Sequence, residues 1–304
     1  MAMGSTRTIA VILLSTGLVF VGNGLFQTVL PIRAEIEGFS TGLIGWLGSA
    51  YFLGFILGCL AGPGLIREVG HIRAYAGVVA LLAGLVLIFP LWVSPWPWIL
   101  LRLLTGLCLA LAFMAIESWL NDQASNRTRG QVLSLYIIVS NSGWIAGQLG
   151  TNLAEVTGPL LFILIAVAIS ISIAPVALTP TREPTPVPGV GLDLPGLYRL
   201  SPAGTVGCLL VGITEGAFWS LGPLFGQLRG LGVFEITLLM GAFVLGGTLS
   251  QWPIGKLSDN MDRRVVILPV ALCTVVTGIA IAALDGLSFS LTLVLALGHG
   301  ALMI

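Results

Sequence analysis

The stretch NGLFQTVLP, Asn23 to Pro31, decides the fold, because it returns 192 residues later as EGAFWSLGP, Glu215 to Pro223. Gly24 falls on Gly216, Phe26 on Phe218, Thr28 on Ser220 and Pro31 on Pro223. Each copy opens on a polar residue, Asn23 or Glu215, inside an apolar run. In lipid such a residue is unfavourable unless it faces protein or a water-filled path. The chain therefore reads as two related membrane bundles facing one another. At an offset of 193, Gly48 falls on Gly241, Gly54 on Gly247 and Gly62 on Gly255, which carries the repeat into the next span. Small residues at these positions let helix backbones approach closely.

Composition fixes the class independently. Of 304 residues, 56% are hydrophobic and 9% charged, with a mean hydropathy of +1.03; soluble domains carry about 25% charged residues. Windows of about 20 apolar residues give ten spans, near 8–30, 42–62, 74–93, 97–119, 131–153, 159–179, 203–224, 236–255, 265–284 and 287–304. The first is too long and too polar, with Asn23 and Gln27, for a cleaved signal peptide. With a cytoplasmic N-terminus, the inner segments hold Arg7, Arg67, Arg73, Arg127, Arg129, Arg182, Arg199, Lys256, Arg263 and Arg264, and the outer loops only Arg33 and Arg229. The excess of basic residues on one side sets that orientation. A net charge of zero gives no signature of a nucleic-acid partner.

The proline-rich segment 181–202 is the only long non-apolar stretch, and its prolines point to an extended connection. It divides a six-span bundle, 1–180, from a four-span bundle, 203–304. Both copies of the repeat run in the same direction across the membrane, which makes the halves parallel repeats about an axis along the membrane normal. Six spans are then expected after the linker, and the terminal ALGHGALMI stops within an apolar run; the chain reads as truncated before two last helices. Cys59, Cys108, Cys208 and Cys273 lie singly in apolar runs, as buried small hydrophobes rather than disulfides or metal ligands.

At this point the sequence resembles the major facilitator superfamily. The segment GKLSDNMDRR, Gly255 to Arg264, is similar to that family's cytoplasmic loop signature through Gly255, Asp259, Arg263 and Arg264. The first-half counterpart, GPGLIREVGHIR, keeps Gly62, Arg67, Gly70 and Arg73 but has Ile66 where an acidic residue is expected. RLLTG, Arg102 to Gly106, resembles the fourth-helix Arg-x-x-x-Gly signature, and ESWLND, REVGHIRAY and QWPIGKLSD resemble a bacterial branch called YcaD-like. The resemblance implies an all-α membrane protein of two parallel-repeat helical bundles, six helices plus four of an expected six. It implies a gating role for the loop residues and a proton-coupling role for Arg102.

Weighed by their own chemistry, Glu215 stands out. About twelve residues into its span, it lies near mid-membrane, where a charge is unfavourable by about 2.5 to 3.5 kcal/mol. It is therefore neutral, paired or beside water, as suits a proton carrier or a site for a cationic group. Asn23 and Gln27 share a helix face and either bond substrate or join helices. Arg102 either snorkels to the interface or couples transport. Glu117, about 22 Å further along the same helix, belongs at the cytoplasmic end, paired with Arg127 or Arg129 or touching substrate. Ser134, Asn141 and Gln148, with Asn152 nearly in line, form a polar stripe suited to a cavity wall or to helix-to-helix bonds. Trp219 stacks on substrate or packs.

His299 with Ser288 or Ser290 lacks the G-x-S-x-G motif and the orienting acid of a serine hydrolase. No Walker loop, metal-ligand cluster or other cofactor motif occurs in the sequence. The expectation is a secondary transporter in the bacterial inner membrane, not an enzyme. It moves a small organic solute by alternating access, coupled to protons and directed outward. The competing reading is a membrane sensor, or a transporter remnant, that binds without transporting.

Overall fold

The computed structural model describes residues 3–125, 128–178, 193–283 and 288–303. The first half comprises α1 (Met3–Ile36), α2 (Thr41–Val69), α3 (His71–Ile88), α4 (Pro95–Gln123), α5 (Arg129–Gly150), α6 (Leu160–Ile171) and α7 (Ile173–Ala177). A short α8 (Leu194–Leu200) precedes α9 (Pro202–Leu228), α10 (Val233–Asn260), α11 (Arg263–Ala283) and α12 (Phe289–Leu302). Among the described residues nine helices, α6 and α7 counting as one, are long and apolar enough to cross a bilayer, and α12 is a shorter apolar helix. These ten match the ten spans expected from hydropathy.

Three boundaries differ from the expectation. Residues 194–200 of the linker are helical: the Asp193 carboxylate accepts the Gly196 N–H at 2.9 Å, and Pro195 sits in the first turn, where a missing N–H is harmless. The rest of the linker, through residue 192, lies outside the described residues. The loop signatures are mostly helix ends. Gly62 and Arg67 belong to α2, and α10 runs on to Asn260, so that only Met261 and Asp262 separate it from α11. Gly70, with φ of +82°, makes the turn from α2 into α3, a conformation that favours glycine. Cys59, Cys208 and Cys273 are exposed on the apolar surface, and Cys108 alone is buried. Lipid accepts a thiol as readily as a protein core does, so hydropathy could not separate the two settings.

Glycines set the closest crossings. A Cβ on Gly54 would meet the Leu103 carbonyl, and one on Gly106 the Tyr51 carbonyl, so α2 and α4 touch backbone to backbone. The second half repeats this crossing between α10 and α12, where Gly246 faces Leu297 O and Gly300 faces Phe243 O. Gly54 therefore corresponds to Gly246 and Tyr51 to Phe243, an offset of 192 rather than 193 in this span. Two adjacent glycines, Gly246 and Gly247, made the register ambiguous in the sequence. Gly24, Gly143 and Gly147 seat α1 against α5 in the same manner.

Between helices of the first half, Ser15 Oγ and Tyr75 Oη lie 2.7 Å apart and Tyr75 Oη and Ser172 Oγ 2.9 Å apart. This buried hydroxyl cluster ties α1 and α3 to the break between α6 and α7. The two halves meet where α1 ends and α2 begins, through α1 and α2 on α9 and through α5 on α10. Gln227 donates there to Glu35, and Asn152 Nδ2 to Thr237 Oγ1 at 3.1 Å. Glu35 and Gln227 are themselves 192 residues apart, so they are repeat equivalents, and a contact between equivalents lies at the axis relating the halves. Among the described residues, the hydrogen bonds and ring contacts joining the halves lie at this end or at mid-depth.

Gly54→Ala or Gly106→Ala should destabilise the protein by about 1–3 kcal/mol, read as a lower melting temperature in detergent. Gly45→Ala, whose Cβ would meet nothing within 4 Å, should melt as the wild type does.

Candidate functional site

The expected residues fall into one group toward the joined end, a second at mid-depth and a third at the end where the halves diverge. In the first group Arg102 is 3% exposed. It does not snorkel: its Nη2 donates to Gln27 Oε1 at 2.8 Å and its Nε to the Leu47 carbonyl at 3.4 Å. Its guanidinium lies 4.4 Å from the Tyr51 ring centroid and 5.3 Å from that of Phe26, within the range of cation–π attraction. Among the described residues the one ion pair is Arg33 with Glu37, so Arg102 has no carboxylate partner there. Asn23, on the Gln27 face of α1, is buried with its Nδ2 unbonded.

The second group surrounds a cavity of about 180 Å³ walled by α5, α9, α10 and α12. Glu215 stands at the middle of the 27-residue α9, where its Oε2 accepts the Trp219 indole N–H at 2.8 Å. Asn141 faces the same space and donates to Thr248 Oγ1 at 2.8 Å, and Gln251 lines it from α10. The Trp219 ring lies 4.6 Å from that of Trp144, and Phe243 closes the aromatic wall. Glu215 also lines an open surface crevice of about 840 Å³ between α2 and α9, walled by exposed apolar residues such as Trp46 and Ile213. One carboxylate thus borders a cavity and a crevice. Gln148, 1% exposed, has neither amide atom bonded and sits near Gly241 of α10.

The polar stripe of α5 is therefore mostly a joint between the halves. Asn141 and Asn152 bond α10, and Asn141 alone among the four also lines the cavity, while Ser134 is exposed on the surface. Glu117, fifteen residues beyond Arg102 on α4, accepts the Tyr136 hydroxyl at 2.7 Å and makes no ion pair with Arg129. Arg127, the other expected partner, lies outside the described residues. Arg67, Arg73 and Arg264 are exposed at the helix ends, and Gly62 packs against Met114. Gly255 has open space around it, and the side chains of Asp259 and Arg263 are not among the described ones. Ile66 is buried in the core; a packing position explains its apolar character. His299 Nδ1 lies 2.8 Å from Thr277 Oγ1, and Ser288 caps α12, so neither has the geometry of a nucleophile and its base.

Sequence patterns did not single out Tyr51, Trp144, Phe243, Thr248 or Gln251. The i, i+3 pair Thr248 and Gln251 was visible as a polar face within a span. The aromatic residues gave no signal, because aromatics in spans commonly pack.

The Major Facilitator Superfamily model matches residues 12–304. The chain belongs to that superfamily. It is 28% identical over 280 residues to YcaD, an uncharacterised MFS-type transporter of Escherichia coli O17:K52:H18, covering 90% of this chain and 72% of that protein. YcaD of Salmonella arizonae is 26% identical, with the same coverage of both chains. Among solved structures, a bacterial homologue of the human lysosomal transporter Spinster, inward-facing and unoccupied, superposes with a TM-score of 0.78 at 16% identity. It is matched over all of this chain and 74% of its own length. The D323A mutant of the nucleoside transporter NupG gives the same TM-score at 16% identity, over 97% of this chain and 79% of its own. The fold is that of a multi-pass membrane transporter of two helical bundles.

The divergence of the halves predicts accessibility. In a variant without its native cysteines, Gln251→Cys should react with a water-soluble maleimide, while Gln148→Cys should stay unlabelled until the protein is denatured.

Proposed function

We propose that this chain is a proton-coupled secondary transporter that moves a small amphipathic solute by alternating access, with Glu215 as the proton carrier. The observation that carries the reading is the position of Glu215. A carboxylate at mid-membrane borders a cavity and an open crevice, has no cationic partner among the described residues and holds one indole hydrogen bond. Protonation removes the penalty of burying its charge when the site is dry. Deprotonation on the wetter side leaves an anion suited to a cationic group, while Trp144, Trp219 and Phe243 offer faces to an apolar body.

The distribution of basic residues supports a cytoplasmic N-terminus. With that orientation the joined end, at Glu35 and Gln227, faces outward, and the conformer is open to the cytoplasm. Asn23, Gln27 and Arg102 form the first-half face of the pathway. Glu117 and the helix-end residues Gly62, Arg67, Gly70, Arg73, Gly255, Asp259, Arg263 and Arg264 belong to the inner gate. The domain division at 181–202 lets each bundle move as a body, and the rocking of one repeat against the other about a midplane site is the general mode of such folds. Apolar and aromatic lining favours export of amphipathic compounds.

The test uses proteoliposomes, a pH-sensitive dye in the lumen and ethidium as the amphipathic cation. The wild type should exchange ethidium for protons, and Glu215→Gln should abolish the proton movement and weaken ethidium binding without abolishing it, because the faces of Trp144, Trp219 and Phe243 remain. Unchanged coupling in Glu215→Gln removes that residue from the mechanism. Binding without exchange in the wild type establishes the sensor reading instead.

A further inference from the structure

The short helix α8, which leads into α9, carries an apolar face that the protein leaves uncovered. Leu194 is 54% exposed, Leu197 49%, Tyr198 54% and Leu200 84%, and no residue of the helix is buried. At 100° per residue these four span an arc of about 160°, with Pro195, Gly196 and Arg199 on the opposite side. The helix lies outside the candidate membrane spans. Both of its ends are defined. Asp193 caps the start, and Ser201 ends α8 while its hydroxyl accepts the Gly204 N–H at 3.2 Å to open α9. With φ of −151° and ψ of 87°, Ser201 is not helical, so the chain turns there and α8 does not extend the axis of α9.

We propose that α8 is an interfacial helix whose partner is the bilayer surface, with the Leu–Tyr face sunk to the boundary between headgroups and acyl chains. Depth supports this assignment. Glu215 is the middle residue of α9, which puts Ser201 about 21 Å from the midplane along the helix. A bilayer is about 40–45 Å thick with its headgroups, so α8 joins α9 at the headgroup level. Side chains reach about 5–6 Å from a helix axis, which brings the leucines to about 15 Å from the midplane, where the hydrocarbon core begins. A helix with one apolar face and a polar opposite side rests in the plane of the interface. The face is also continuous with a surface that already meets lipid, because Val206, Leu209, Leu210 and Ile213 of the adjoining α9 span are exposed. Tyr198 suits the headgroup level, where tyrosine is enriched, and Arg199 complements anionic phosphates. Anchoring α8 fixes the depth at which α9 starts, so the second bundle tilts about that point instead of sliding along the membrane normal. The inference uses the position of Glu215 in α9 and not its proposed role.

The experiment reconstitutes the full chain, without its native cysteines, in liposomes of mixed zwitterionic and anionic phospholipid. One nitroxide at a time is attached through Leu194→Cys, Leu197→Cys, Leu200→Cys or Arg199→Cys. Collision rates are measured with oxygen, which concentrates among the acyl chains, and with a water-soluble nickel chelate. The labels at 194, 197 and 200 should collide several-fold more often with oxygen than with the chelate and report a depth of about 15 Å from the midplane. The label at 199 should show the reverse preference. Ready access of the chelate to all four labels overturns the proposal, because α8 then stands in water. Low collision rates with both reagents at 194, 197 and 200 also overturn it, because protein, a second copy of the chain included, then covers the face. None of these readouts depends on transport, so they stand apart from the proton-carrier reading.

Discussion

Lipid offers no hydrogen bonds, and this constraint organises the molecule. A polar side chain within a span must find its partner on its own helix, on another helix or in a cavity. Ser15, Tyr75 and Ser172 bind three segments of the first half through a shared set of hydroxyls. Asn141, Asn152 and Gln227 use their amides to join one half to the other. Glu215 with a single hydrogen bond and Asn141, bonded to Thr248, border the mid-depth cavity, while Gln148 and Asn23 are buried with amide atoms unbonded.

The same constraint makes the internal repeat informative. Glycines at the α2–α4 and α10–α12 crossings preserve the scaffold in both halves, while the charged residues differ between them. Glu215 replaces Asn23 of the first copy, and Arg102 has Ala296 as its counterpart. A symmetric frame thus carries an asymmetric set of charges. One half holds a buried cation and the other a mid-membrane acid, about an axis marked by the contact of Glu35 with Gln227.

Much of this was legible in the sequence because it follows from one-dimensional regularities. Runs of about 20 apolar residues located ten helices, and the repeat of NGLFQTVLP located the two bundles. Glu215 was legible because a carboxylate in such a run is conspicuous. What could not be read depends on which side of a helix meets which neighbour. The polar stripe of α5 gave its own direction but not the facing Thr248 and Thr237. Glu117 gave its depth but not Tyr136, and nothing in the spacing of Tyr51 announced the cation above its ring. The helix over 194–200 was missed for a different reason: prolines were read as breakers, although one in the first turn is compatible with a capped helix.

The central claim is that the bundles rock about their mid-depth contacts. The most direct measurement places spin labels in pairs at both ends of the chain in liposomes and records distance distributions with and without a proton gradient. One pair joins Arg73 to Arg264 at the divergent end, and the other joins Leu91 to Leu228 at the joined end, all four being exposed. Rocking predicts two populations at each end that shift in opposite senses, the divergent end shortening as the joined end lengthens. Single, unchanged distances at both ends would contradict the account.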